Sequence, residues 1–152
     1  MILPPENDNS GSGPPPVPDI LQTTTVTLSS AQLLALNTAP AVLLAPPGAG
    51  KYNLIMAASF ELIFGTTEYT PAGDESVFFG SVTGTINGNL LPAFQEAFAS
   101  GSSNVTFATN NFVSAATPTL ENQALVLGSP SANATGGDGT MSITLYYVTV
   151  TL

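Results

Sequence analysis

Hydrophobic and polar residues alternate along much of the chain, and the longest alternating segment is 52–64. Every second position from Tyr52 to Phe64 is Tyr, Leu, Met, Ala or Phe, while the positions between them mix polar and apolar residues. Successive side chains of a β-strand point to opposite faces, so a period of two indicates a strand. The segment therefore predicts one long strand with a fully apolar face and a mixed face, as in a sandwich.

Six further segments have the alternation or the β-branched composition of strands. They are residues 23–28, 41–44, 76–86, 104–112, 120–127 and 141–152. Gly80 and Gly84, inside the third segment, indicate a bulge or a bend. In the last segment the apolar residues change face from Val148 onward. This change indicates either a bulge or a strand that passes from the core into an interface.

Two short segments predict helices. The first, residues 29–36, begins with two serines that can accept a hydrogen bond from a free amide, and Asn37 can end it. The second, residues 90–99, carries Phe94 and Phe98 four positions apart, so both side chains lie on one helix face. Both helices are short pieces among strands, so they do not suggest a parallel α/β sheet.

Seven or eight strands at irregular spacing, without an internal repeat, define the expected fold class. Residues 25–152 predict an all-β domain, an antiparallel β-sandwich of jelly-roll type with one or two short helices. A length of 152 residues suits one such domain with its own core.

Residues 1–24 differ from the rest of the chain, because six prolines alternate there with Asn, Ser, Gly and acids. Proline has no backbone donor and favours extended polyproline II, so neither a packed helix nor a central strand is expected. Two interpretations stay open, a disordered tail or an arm that becomes ordered only against neighbouring subunits. In the second, Val17, Ile20 and Leu21 are the candidate apolar contacts.

The charge balance excludes several functions. Charged residues make up 7% of the chain, against about 25% in ordinary domains. Ten acids stand against one basic residue, Lys51, so neither nucleic-acid phosphates nor an anionic membrane surface can be neutralised. Without Cys or His there are no disulfides and no nitrogen or sulfur metal sites. A surface of Ser, Thr, Asn and Gln is typical of extracellular or virion proteins and favours partners that cover part of it.

The loop Ala45–Lys51 (APPGAGK) allows two interpretations, a phosphate-binding loop or a rigid turn between two strands. A phosphate-binding loop needs Gly, four residues, and then Gly-Lys-Ser/Thr before a helix. Here Ala45 stands at the first glycine, Tyr52 stands at the hydroxyl position, and the following segment alternates as a strand does. The rigid turn is therefore favoured. Lys51 becomes a candidate protein contact, paired with a carboxylate or with a neighbouring subunit.

The acids are the remaining source of chemistry. Two facing carboxylates could serve a glycosidase, and Asp74–Glu75 or Asp138 could offer oxygen ligands to calcium. No spacing selects a carboxylate pair, the EF-hand spacing is absent, and Gly-Asp-Gly also suits a tight turn. No enzymatic activity, cofactor or metal is therefore expected.

Three segments carry a resemblance to a known group of proteins. Thr25–Asn37 (TVTLSSAQLLALN), Ala45–Lys51 and the Gly136–Thr140 turn (GGDGT) before a Tyr-rich terminal strand resemble a pattern common in tailed-bacteriophage structural proteins. The resemblance covers roughly residues 25–152. Within that group, a small β-sandwich with an extended N-terminal arm is similar to capsid cement or decoration proteins. The pattern carries no catalytic residues, and the proline-rich arm is not part of it.

The resemblance implies a structural virion protein that binds the outer surface of a phage capsid and stabilises it. Its implied partners are the major capsid protein and further copies of itself in a homotrimer, with neither nucleic acid nor membrane. It would be made in the host cytoplasm and reside on the capsid surface. Two alternatives stay open, a phage tail, fibre or adhesin module that binds a host glycan, and a carboxylate enzyme that acts on polysaccharide.

Overall fold

The computed structural model describes residues 20–73, 75–81, 85–86, 91–109 and 120–152. In chain order their elements are β1 (Gln22–Leu28), α1 (Ser30–Leu33), β2 (Ala41–Leu44), β3 (Lys51–Ile63), β4 (Tyr69–Thr70), β5 (Ser76–Phe79), β6 (Thr85–Ile86), α2 (Leu91–Phe98), β7 (Asn104–Thr109), β8 (Leu125–Gly128), β9 (Thr135–Gly136) and β10 (Thr140–Thr151). Strands predominate, so the predicted all-β class is confirmed.

Two antiparallel sheets contain most of the described strands. The larger sheet has the order β1-β10-β3-β7, and the second has the order β2-β8-β5-β6. The short strands β4 and β9 pair with each other separately. Side chains from both four-stranded sheets meet in one hydrophobic cluster, which makes the arrangement a β-sandwich. The finer jelly-roll assignment stays a prediction.

Aromatic side chains occupy much of the core. Phe94 and Phe98 of α2 are fully buried and stack with ring centroids 5.2 Å apart. The ring of Phe60 on β3 meets Phe94 edge-on at 5.7 Å, and Tyr69 stacks on Phe98 at 4.6 Å. The predicted placement of Phe94 and Phe98 on one helix face is confirmed, and this face connects α2 to the larger sheet.

A β-bulge interrupts β3 at Met56. The register between β3 and β10 shifts between Tyr146 and Tyr147, so that Met56 has no partner across the ladder. After the bulge, Phe60 and the residues two positions to either side of it are buried. Before the bulge, Asn53 is buried instead. The predicted continuous apolar face of this strand is therefore wrong, because the extra residue exchanges the two faces. The bulge indicated by the terminal strand is confirmed, but β3 carries the extra residue.

Two predicted strands have different bounds in the structure. The segment 76–86 divides into β5 and β6, which pair antiparallel, and Gly80 follows β5 with a φ of +87°. Strand β8 begins only at Leu125, because residues 120–122 form a turn in which Asn122 has a φ of +50°. Residues 110–112 of another predicted strand lie outside the described residues.

Strand β1 and helix α1 lie close to their predicted positions. Strand β1 begins at Gln22, so residues 22–24 already belong to the sandwich rather than to the arm. Ser29 caps α1 and forms a capping box with Gln32. The helix ends at Leu33, before Asn37, whose amide group instead donates to the carbonyl oxygens of residues 129 and 130. Across the described ranges, no helix is both long and apolar enough to cross a bilayer.

Asp138 joins two loops at the end of the sandwich where β3 finishes and β10 begins. Its Oδ1 accepts hydrogen bonds from the amides of Thr66 and Thr67 at 2.7 and 2.9 Å, and its Oδ2 accepts from the Thr66 hydroxyl at 2.7 Å. The Thr66 hydroxyl, and then the two amides, hold the pKa of Asp138 below its ordinary value of 3.8. Burial, and then the charge of Asp138, raises the pKa of Tyr69.

We expect Asp138→Asn to lower stability at neutral pH and to reduce the loss of stability in acid. A carboxyl whose pKa is lowered by folding stabilises the protein above its unfolded pKa, and this stabilisation disappears as pH falls through the folded pKa. Urea midpoints measured from pH 7 down to about pH 2 should therefore converge for the two proteins below about pH 4. Glu61→Gln, on the exposed face of β3, is the control. Parallel curves for Asp138→Asn and the parent would contradict this role.

Candidate functional site

One end of the sandwich gathers most of the predicted contact residues. Strand β1 begins, β3 begins and β10 ends there, since Gln22 pairs with Tyr147 and Lys51 pairs with Thr151. Ile20 and Leu21 precede β1 and are 71% and 55% exposed. We call this region the arm end, and it is defined by residues 20–22, 45–53 and 147–152. Val17, the fourth predicted contact, lies outside the described residues.

The loop 45–50 at the arm end is held by the turn that precedes β8. The Gly48 amide donates to Asn122 Oδ1 at 2.9 Å, and the Gly50 amide donates to Glu121 Oε1 at 2.7 Å. The Asn122 amide in turn donates to the carbonyl of Lys51 at 2.7 Å. Gly48 and Gly50 have φ values of +101° and +70°, which other residues adopt only with strain. These contacts agree with a rigid turn, because two amides of the loop already donate to side chains.

Lys51, the single basic residue, is exposed at the arm end. Within the part of the chain that the structure describes, no carboxylate lies within 4.0 Å of its ammonium group. The neighbouring Glu121 carboxylate accepts from the Gly50 amide instead. The interpretation of Lys51 as part of an internal ion pair therefore finds no partner in the described residues, and its role as a contact stays a prediction.

A pocket of about 430 Å³ opens beside Lys51. We call it the arm-end pocket. Its lining consists of Gln22, Leu44, Ala45, Pro46, Pro47, Lys51, Asn53, Tyr147 and Thr149. A chain of hydrogen bonds crosses it, from Gln22 Nε2 to Thr149 Oγ1 at 3.3 Å and from that hydroxyl to Asn53 Oδ1 at 2.9 Å. Asn53 Nδ2 donates to the Ala45 carbonyl at 3.3 Å, which ties the loop to β3.

Sequence reasoning missed the polar residues of this pocket. Asn53 was placed on the outward mixed face of the predicted strand, yet its side chain is only 4% exposed. Gln22 lies in the segment assigned to the arm and Thr149 in the terminal strand, and the pairing of β1 with β10 brings them within hydrogen-bonding distance. The one available signal was the change of face in the terminal strand, which indicated a bulge without locating it.

The larger sheet carries a second candidate contact surface. Its outward side, which we call the outer face, includes Thr25 paired with Thr144 through their hydroxyls at 2.8 Å. Val105 and Phe107 of β7 lie on the same side, and Phe107 is 74% exposed. Other large hydrophobic side chains exposed on this face or at the bulge are Met56 and Ile63. Val105 and Phe107 are neighbours on this face of β7, with polar residues opposite them on β3, and grouped exposed apolar side chains commonly mark an interaction site.

The described carboxylates with assigned contacts accept hydrogen bonds from backbone amides of loops. Glu75 is buried, and its two oxygens accept from the amides of Ala72 and Gly73 at 2.5 and 3.0 Å. Asp138 has a comparable role, because it accepts from the amides of Thr66 and Thr67 in the neighbouring loop. Over the described ranges, no three His, Cys, Asp or Glu side chains come together as metal ligands would. The carboxylates with resolved contacts therefore stabilise turns.

Comparison with known proteins finds no family model, curated protein or solved structure that matches this chain. The class of protein that the structure defines is accordingly an all-β sandwich with two candidate contact surfaces, the arm end and the outer face.

Proposed function

We propose that the chain is a structural virion protein that binds the outer surface of a tailed-phage capsid and stabilises the particle. The observation that supports this proposal is the grouping of exposed apolar side chains on the outer face and at the arm end. Only 7% of the residues are charged, so ion pairs with a partner would be sparse beside the apolar and neutral polar surface. Burial of apolar surface is then the main source of binding free energy.

The outer face and the arm end also suit contacts between several copies of the chain. We propose a homotrimer whose subunits contact the major capsid protein, with Ile20 and Leu21 among the contacts to a neighbour. Several modest contacts on one particle raise the overall affinity well above that of each contact alone. No catalytic step, cofactor, nucleic acid or membrane enters this function.

Heating of phage particles tests the proposal. Particles that carry the protein should release their genome at a higher temperature than particles from which it is absent. Phe107→Asp, which places a charge on the outer face, should reduce occupancy of the particle. Val42→Asp is the matched control, because Val42 is 57% exposed on β2 of the other sheet. Equal heat tolerance with and without the protein would contradict the stabilising role.

The second candidate function is a phage tail, fibre or adhesin module that binds a host glycan. The arm-end pocket favours it, because amide, hydroxyl and aromatic groups line one concave site. A broad glycan array at high protein concentration tests this candidate, and the absence of any bound glycan would count against it.

A further inference from the structure

The arm-end pocket combines a positive charge with an uncharged lining. Lys51 is the chain's only basic side chain, and none of the pocket's other lining residues is acidic. Within the described residues its ammonium group also has no ion-pair partner. The neighbouring Glu121 carboxylate lies outside the lining and accepts from the Gly50 amide at 2.7 Å, so an anionic group bound at the pocket would meet Lys51 with no carboxylate among the lining residues.

Neutral hydrogen-bonding groups surround that charge. Asn53 is almost fully buried, and its amide donates one N–H to the Ala45 carbonyl, which leaves a second N–H. Gln22 donates from Nε2 to Thr149 and retains its carbonyl oxygen as an acceptor. Tyr147 adds a hydroxyl that both donates and accepts. A ligand with several hydroxyl groups could use donors and acceptors in this arrangement, whereas a simple carboxylate could not.

Apolar surfaces complete the pocket. Pro46 and Pro47 form part of its wall, and Leu44 and the Tyr147 ring also line it. The prolines belong to the loop that Asn122 and Glu121 hold, so this wall is rigid. A volume of about 430 Å³ falls within the roughly 300–1,000 Å³ typical of small-molecule sites.

Other ligand classes fit less well. A nucleotide would need several phosphate contacts, but the lining has one ammonium group, and the Gly48 and Gly50 amides already donate to side chains. A divalent cation would need carboxylate ligands, which the lining does not contain. We propose that the arm-end pocket binds a carboxylate-bearing sugar, with its carboxylate at Lys51 and its hydroxyls at Asn53, Gln22 and Tyr147. This proposal rests on the second candidate function, glycan binding at the arm-end pocket, and is independent of capsid binding.

NMR titration of the intact chain with glucuronate and with N-acetylneuraminate tests the proposal. At least one of these acids should give saturable shifts at the amides of residues 51, 53, 147 and 149, and glucose should give none at equal concentration. Lys51→Gln should weaken binding about tenfold, as expected for the loss of a charge-assisted hydrogen bond. Tyr147→Phe, which removes only a hydroxyl, should weaken it by a smaller factor.

A matched charge control separates the site from the overall charge of the chain. Thr23→Lys, added to Lys51→Gln, restores the net charge from an exposed position on β1, and binding should stay weak. Four outcomes would overturn the proposal. They are no saturable shift with either acid, equal binding of glucose, equal binding of acetate or free glutamate, and recovery of binding in the double variant.

Discussion

Replacing Phe98 with alanine is expected to lower the free energy of unfolding by about 3–5 kcal/mol. Phe98 is fully buried, and its ring lies in stacked contact with both Phe94, at 5.2 Å, and Tyr69, at 4.6 Å. Alanine would leave a cavity between α2 and Tyr69 of β4, and the rings around it would lose their contacts with Phe98. Urea denaturation of the dilute protein, followed by circular dichroism, measures the change.

Phe107→Ala is the control for that prediction. It deletes the same atoms from a side chain that is 74% exposed on β7, so the expected change in stability is within about 0.5 kcal/mol. Equal losses for the two variants would show that the ring cluster around Phe98 is not the centre of the core.

Gly137→Ala is expected to lower the free energy of unfolding by about 2–5 kcal/mol. Gly137 has a φ of +85°, and an added Cβ would overlap the ring of Tyr69. That ring cannot easily move, because it is buried against Phe98 and its hydroxyl donates to the Gly139 carbonyl at 2.6 Å. Thermal and urea unfolding measure the effect.

Gly73→Ala separates backbone strain from overlap. Gly73 has a similar φ of +95°, but an added Cβ there meets no atom within 4 Å. This variant should lose only about 1–2 kcal/mol, the cost of a left-handed conformation for alanine. Losses of the same size in Gly73→Ala and Gly137→Ala would contradict the close packing of Tyr69 against Gly137.

Local alternation predicted the larger elements well. Strand β2 was predicted with its observed bounds, and β3, β10 and α2 differ from prediction by one residue at most at each end. These segments are long or are bounded by proline and glycine, so the sequence signal is local. Gly80 indicated a bend within the segment that divides into β5 and β6, but the division itself was not predicted. The turn before β8 was missed, because hydrophobic residues near turns have the same alternation as residues in a strand.

The candidate site was predicted only in part. Ile20 and Leu21 were selected as apolar contacts and Lys51 for its charge, and the strand pairing brings them to one end. Asn53 and Thr149 were not selected, since their contact depends on a register between residues 96 positions apart. Composition identifies which residues are rare, but the pairing of distant strands decides which of them meet.

The bulge at Met56 has a consequence for how this protein could diversify. Successive side chains of a strand point to opposite faces, and an extra residue shifts this alternation by one position. In β3 the even-numbered residues after Met56 therefore face the core, whereas the odd-numbered residues before it face inward at the arm end. Loss of Met56 would leave Ile55 opposite Tyr147 and Ala57 opposite Tyr146, so regular alternation would keep Asn53 and Phe60 on the face where they now lie. Related chains could therefore differ by this one residue in length without exchanging the side chains that face the core or the pocket.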